Sequence, residues 1–209
     1  MNTPFFEVNG ARVSRLEDHR LLTGAGQFAA DWHLPGQLYG HFLRADHAHA
    51  RIVSINIAKA RAHPGVHAVL TGDDAVRAGY VQPVSFFTFA GKNGAKPLLP
   101  QWPVLAHERV RFNGEPLAFV AADSALIAQD ACALIKVAYE DLPCAVDGES
   151  ALAPGAAQLH QHIPGNQSFE CDVGDAAATE AAFAAAAHIT RQRIESRRVV
   201  PSPMEPRAC

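Results

Sequence analysis

Val110-Arg111-Phe112-Asn113-Gly114-Glu115-Pro116-Leu117-Ala118-Phe119-Val120-Ala121 is followed by Ala122-Asp123-Ser124 and then by Ala125 to Tyr139. This stretch decides the fold. Val110 to Phe112 reads as a strand edge, Asn113-Gly114 as a hairpin-type turn, and Pro116 to Ala121 as an unbroken apolar strand. Asp123-Ser124 offers capping oxygens to a helix over Ala125 to Leu134, where Ile127, Ala131, Leu134 and Ile135 recur at helical spacing. Lys136 to Tyr139 returns as a strand and Leu142-Pro143 ends it. Strand, helix and strand within some thirty residues predict a crossover unit and hence a mixed α and β chain.

Toward the N-terminus the signals are strand-like. Leu38 to Arg44 and Arg51 to Ile57 read as two strands, the second rich in β-branched residues. Ala58 to Ala62 predicts a short helix stopped by His63-Pro64-Gly65, and Val66 to Leu70 a buried strand. Thr71-Gly72-Asp73-Asp74 supplies helix-starting oxygens. Residues 1–36 read as loop-rich, with Gly24 and Gly26 turning the chain into a strand at Phe28. Gln82 to Pro103 is too long for a passive connector. Its clustered Phe86, Phe87 and Phe89 are the expected contact surface.

Toward the C-terminus, Val146 to Asn166 is rich in Ala, Pro, Gly and His and lacks periodicity, which places a boundary there. Gly174-Asp175 starts an Ala-rich helix through Ala187, with Asp175 as N-cap and Phe183 as its one large apolar residue. Ile189 to Val200 is expected as a final strand. The closing Pro203-Met204-Glu205-Pro206-Arg207 carries no sign of a solvated tail, so the chain is expected to be the front part of a longer polypeptide.

The formal net charge of -3 over 209 residues, 48% of them hydrophobic, gives no electrostatic case for nucleic acid or an anionic membrane. No apolar run reaches the roughly 20 residues a spanning helix needs, and no signal peptide is evident. Cys132, Cys144, Cys171 and Cys209 lie far apart without a CxxC, as expected of a reduced, cytoplasmic chain.

Candidate chemistry is thin. His47-Ala48-His49 places two imidazoles on one side of an extended strand, with His41 and Asp46 nearby, and could begin a zinc or copper site. Backbone hydrogen bonding or a domain-facing role is the commoner use of such histidines. His160-Gln161-His162 reads as a surface feature of the linker. Glu17-Asp18, Asp73-Asp74 and Glu140-Asp141 are paired carboxylates, but sequence neighbours rarely converge on a substrate. Gly24-Ala25-Gly26 lacks the third glycine of a dinucleotide fingerprint. Arg191, Arg193, Arg197 and Arg198 make a basic cluster on the last segment. Cys132 and Cys144 have no evident activating neighbour. No catalytic, cofactor-binding or metal-binding residue is assigned.

Several phrases together resemble one family. Arg15-Leu16-Glu17-Asp18-His19-Arg20-Leu21-Leu22-Thr23-Gly24-Ala25-Gly26-Gln27-Phe28 resembles the opening of the molybdenum hydroxylase large subunits, the xanthine dehydrogenase, aldehyde oxidase and aerobic carbon monoxide dehydrogenase relatives. Arg44 to Ile52, Arg109 to Ala118, Tyr139-Glu140-Asp141-Leu142-Pro143 and Pro203 to Arg207 continue the likeness in order. Asp46 departs from it where relatives commonly carry proline.

The resemblance implies an α+β chain. An α/β hammerhead domain over 1–145 is followed by a linker over 146–165 and the incomplete start of a molybdopterin-binding α/β domain over 166–209. It also implies a molybdopterin-molybdenum cofactor in the full-length subunit, with the ligating and catalytic residues beyond this chain. Glu205 is not the family's base. Partner small and medium subunits would carry [2Fe-2S] clusters and FAD, in a homodimer of the heterotrimer. The rival expectation is a free-standing binding module on the same scaffold, and a weaker one is a metal protein using His41, His47 and His49.

Overall fold

The computed structural model describes residues 6–8, 11–13, 15–80, 91–100, 102–196, 199 and 208–209. Phe86, Phe87, Phe89, Arg197, Arg198 and Pro203 to Arg207 lie outside these residues. Two compact units are present: 38–188 forms one, and 1–37 with 189–209 the other.

The unit over 38–188 is built on two three-stranded antiparallel sheets. We number the chain's strands in order: β1 (Phe6–Val8), β2 (Ala11–Val13), β3 (Tyr39–Arg44), β4 (Ala50–Asn56), β5 (Val66–Thr71), β6 (Arg109–Val110), β7 (Pro116–Ala122) and β8 (Lys136–Asp141). One sheet has the order β3-β7-β5 and the other β6-β4-β8. Phe119 lies opposite Phe42 on one side and Leu70 on the other, which fixes the register of the first sheet.

The helices are α1 (Asp18–Leu22), α2 (Ala58–Arg61), α3 (Gly72–Arg77), α4 (Ala125–Ala133), α5 (Gly148–Leu152) and α6 (Ala176–Ala185). Ser124 caps α4 by accepting from the Ile127 N–H at 3.2 Å. Ala128, Ala131 and Cys132 of α4 then pack on Ala118, Val120 and Ala122 of β7. Small residues on both surfaces let the helix sit close to the sheet. A second cluster joins Ala45, Ala50, Ala106, Val110 and Leu117, and Leu43 and Val137 border both clusters.

The strand, helix and strand are therefore as expected, but they do not form a crossover unit. β7 and β8 belong to different sheets, and every pairing in both sheets is antiparallel. The reason lies in β8, where half-buried Val137 and Tyr139 alternate with exposed Lys136, Ala138 and Glu140. Such a strand suits the edge of a half-solvated antiparallel sheet, whereas a parallel strand is covered on both faces. The turn at Asn113-Gly114 is tight, with the Glu115 N–H donating to the Phe112 carbonyl at 3.2 Å and Gly114 at φ 90°. It is not a hairpin, because β6 and β7 lie in different sheets.

Residues 146–165, read from sequence as a linker, contain α5 and are bound together by two amides. The Asn166 amide donates to the Ala151 and Ala157 carbonyls at 2.9 and 2.8 Å, and the Gln158 amide to the His160 carbonyl at 3.0 Å. Leu98 N–H to Ser168 carbonyl, at 2.8 Å, and the Lys92–Glu170 ion pair, at 2.9 Å, then join 166–172 to 91–99. Asp175 caps α6 as expected, accepting from the Ala178 N–H at 2.9 Å, and Phe183 is 52% exposed.

In the other unit, β1 pairs with β2, and α1 precedes the turn at Gly24; none of these three was expected. The strand expected at Phe28 is instead a 3-10 turn over Ala29–Asp31, because the Asp31 carboxylate accepts from the Phe28 N–H at 2.8 Å and curls the chain. Ile189 to Glu195, expected to open a strand, forms none. A strand exists only where a neighbour accepts its hydrogen bonds, and the apolar pattern of a segment cannot supply one.

Candidate functional site

The connection between β3 and β4 separates the two histidines expected on one face. His47 lies outward, its ring stacked on Tyr139 with centroids 4.1 Å apart and its Nδ1 2.7 Å from the Asp46 carboxylate. Its Nε2 is 3.5 Å from Asp141. His49 turns inward and is only 6% exposed, with Nδ1 2.7 Å from the Pro143 carbonyl oxygen. The alternating faces of a strand do not apply, because 45–49 lies between β3 and β4 and bends at 48–49. His41 sits on β3, exposed. Among the described residues no three His, Cys, Asp or Glu converge as metal ligands. Burial, and after it the charge of Asp46, pushes the Tyr139 hydroxyl up to about 12.

The paired carboxylates diverge as neighbours on a chain do. Glu17 meets Arg20 while Asp18 meets Arg15 at 2.8 Å. Asp74 accepts from the Thr71 N–H at 2.8 Å, the chief reason its carboxyl titrates below the ordinary value, while Asp73 meets His107 at 3.1 Å. Glu140 meets Arg51, and Asp141 meets His47. Arg191 and Arg193 are exposed in a segment that forms no strand. Cys132 is buried and its thiol is pushed up by that burial, the opposite of nucleophile activation.

What the structure brings together was not foreseen. Within the 38–188 unit, Arg111 acts on both Glu115 and His160, and His49 also acts on His160. Glu115 is 2% exposed, and its Oε2 accepts from the Arg111 N–H at 2.6 Å. Burial raises the Glu115 carboxyl, opposed by the Arg111 N–H, the Arg111 charge and the Phe112 N–H. His160 stands edge-on to His162 with centroids 5.9 Å apart, and His162 Nε2 lies 2.8 Å from the Leu99 carbonyl oxygen. Burial first, then the charges of Arg111, His162 and His49, brings His160 from 6.5 down to about 4. The supposed surface pair His160 and His162 is thus half built into the unit. Nothing in the sequence marks Glu115 or His49 as buried, since both sit among turn residues.

Residues 23–143 match the family described as aldehyde oxidase and xanthine dehydrogenase, a/b hammerhead domain. The chain belongs to this family. It is 38% identical over 215 aligned residues to the carbon monoxide dehydrogenase large chain of Afipia carboxidovorans, covering 96% of this chain and 25% of that one. Among solved structures, a Cu,Mo carbon monoxide dehydrogenase matches with 36% identity and a TM-score of 0.69, over 86% of this chain and 23% of that one. Quinoline 2-oxidoreductase from Pseudomonas putida 86 matches with 44% identity and a TM-score of 0.62, over 70% and 18%. This hammerhead chain spans about a quarter of the length of the carbon monoxide dehydrogenase large chains it matches. No helix among its described residues is long and apolar enough to cross a membrane.

The half-buried His160 of the 38–188 unit predicts a pH response. Between about pH 6.5 and about pH 4 the unfolded chain holds a proton on His160 that the folded chain excludes, so stability falls as pH drops through that window. Denaturant midpoints measured from pH 7 to pH 4 should fall less steeply for His160→Phe than for the wild type. Parallel curves would refute the assignment.

Proposed function

We propose that this chain is part of the large subunit of a molybdenum-dependent hydroxylase or dehydrogenase. Such an enzyme oxidises a small substrate with water as the oxygen source. The observation that carries the reading is 38% identity sustained over 96% of the chain to a carbon monoxide dehydrogenase large chain, with the hammerhead matched over 23–143. A free-standing binding module is not favoured, because the relatives reported above are redox enzymes.

The described residues do not fit the molybdenum cofactor themselves. They bring no three His, Cys, Asp or Glu together, and the buried Glu115 carboxylate is engaged by the Arg111 backbone N–H. No step of the reaction is therefore assigned to a residue of this chain. Its part is structural and subunit-contacting, within an assembly whose small and medium subunits carry [2Fe-2S] clusters and FAD. We place the hammerhead at 1–145, a connecting segment at 146–165 and the start of the molybdopterin-binding region at 166–209. The end of the family match at 143 supports that first limit.

Purification of the protein from its native source, with intact mass and molybdenum measured on one sample, tests this reading. The expected result is a polypeptide several times longer than 209 residues with molybdenum bound. A free 209-residue species lacking molybdenum would overturn it.

A further inference from the structure

Strand β4 is the middle strand of its sheet, yet one of its edges is scarcely used. β8 runs along it from Ala50 to Asn56, whereas β6 meets it only at Ala50 and Arg51. The chain before β6 is turned away by a three-residue turn centred on Glu108, where the Arg109 N–H donates to the His107 carbonyl at 2.7 Å and φ of Glu108 is 63°. A residue with a side chain seldom enters that left-handed region, and such strain gathers where a ligand or partner is held. The last bond on this side runs from the Ile52 N–H to the Glu108 carbonyl at 2.8 Å. Beyond it, 53–56 has no strand on that side among the described residues.

The free edge borders a groove of about 360 Å³, lined also by α3 and by Arg61, His107 and Glu108. Glu108 lies at its Ile52 end, through the bond just given. Arg61 lies at its Ile57 end, where the Arg61 N–H donates to the Ile57 carbonyl at 2.9 Å. Other charges along the groove are matched, Asp74 by Arg77 and Asp73 by His107 at 3.1 Å. Arg61 and Glu108 are both exposed and make no ion pair among the described residues. The Arg61 guanidinium reaches only the Val69 carbonyl, at 3.4 Å. The edge itself, Ile52-Val53-Ser54-Ile55-Asn56-Ile57, contains neither a charge nor a proline, the usual guards of an open strand.

We infer that this groove takes a short extended segment of a separate protein chain, added to β4 in line with β6. Every pairing in both sheets is antiparallel, so the segment runs as β6 does. Its N-terminal end then lies beside Arg61 and its C-terminal end beside Glu108. From Ile52 to Ile57 the strand rises about 17 Å, the length of about five extended residues. Charge complementarity sets the two ends, an acidic side chain first and a basic one last. Backbone hydrogen bonds supply the attraction and the two charges supply the direction. A small oxyanion would satisfy Arg61 but be repelled by Glu108, and it would leave the strand edge unpaired. Permanent interfaces are more apolar than this groove, whose charged lining suits a partner that associates and leaves. The inference does not depend on the reaction proposed above, since it concerns only groups inside the 38–188 unit.

The test uses the protein in its native assembly. Two fluorescein-labelled peptides with blocked termini, Glu-Thr-Val-Thr-Lys and its reverse Lys-Thr-Val-Thr-Glu, are titrated and followed by fluorescence anisotropy. The first should bind more tightly by about fivefold or more, because reversal turns two attractions into two repulsions. Exchanging the groove's own charges, Arg61→Glu together with Glu108→Arg, should invert the preference. Methylating the backbone nitrogens of the first peptide should abolish its binding while leaving both charges in place. Equal binding of the two peptides, no binding of either, or a preference unchanged in the double variant would overturn the inference. So would a crystal structure of the assembly in which one of its own segments already fills the groove. Should the double variant fail to assemble, the methylated peptide decides on the wild-type protein, where undiminished binding would overturn the inference.

Discussion

Gly72→Ala should lower the stability of the hammerhead unit by about 3 kcal/mol or more, at the upper end of what overpacking costs. Helix propensity alone argues for the opposite sign, because Gly72 opens α3 and alanine is the better helix former by at most about 1 kcal/mol. Space decides the matter. A Cβ on Gly72 would stand 2.2 Å from the Ala106 carbonyl oxygen, 2.8 Å from its carbon and 3.1 Å from the His107 Cα. All three are backbone atoms, so no side chain can swing aside. Ala106 is itself buried, and its N–H donates to the Pro116 carbonyl at 2.6 Å, which anchors that strip of chain to β7. The thermal midpoint should drop by roughly 6–12 °C, using about 2–4 °C per kcal/mol for a chain of this size. Gly148→Ala is the control, since Gly148 opens α5 with nothing within 4 Å of its added Cβ. Equal midpoints for the two variants would show that α3 can move away from Ala106.

Glu115→Ala should cost about 3 kcal/mol or more, from an N–H left without its acceptor and a cavity where the buried side chain stood. The carboxylate is 2% exposed, takes the Arg111 N–H at 2.6 Å and faces the Arg111 charge. Alanine leaves that N–H without an acceptor and the guanidinium less compensated, and it opens a cavity beside fully buried Leu117. Glu115→Gln keeps an acceptor oxygen and should lose distinctly less. The two also differ in their response to pH. Because burial raises the folded carboxyl above 4.5, the folded state takes up this proton before the unfolded state does. Its contribution is greatest below 4.5 and is lost as pH rises through the raised folded value. Urea midpoints at pH 4 and pH 7 should show this dependence in the wild type and not in Glu115→Gln. A Glu115→Ala midpoint at pH 7 equal to that of the wild type would show that Arg111 finds another acceptor.

Local elements were legible wherever a short-range cause dictates them. Ser124 before α4, Asp175 before α6 and the Thr71–Asp74 contact before α3 are all interactions within three residues. The strands β3, β4, β5, β7 and β8 could be read because their apolar residues must leave water together. Two readings failed for different reasons, one a short-range side-chain contact and one the lack of a strand neighbour. Phe28 reads as a strand residue until Asp31 takes its N–H, and Ile189 to Glu195 reads as a strand until a partner is sought.

Composition and the ordered phrases from Arg15 to Pro143 determined, by themselves, the mixed α and β class and the hammerhead family. They also placed most of the elements, through capping and apolar spacing that act over a few residues. Only the tertiary structure decided that β7 and β8 part into two antiparallel sheets, because strand pairing depends on which edge remains open after the chain has folded back. It alone buried His49 and Glu115 and brought the charges of Arg111 and His49 to bear on His160, though up to 111 positions separate these residues in the 209-residue chain. Their burial comes from what packs over them, and no pattern local to any one of these residues encodes it.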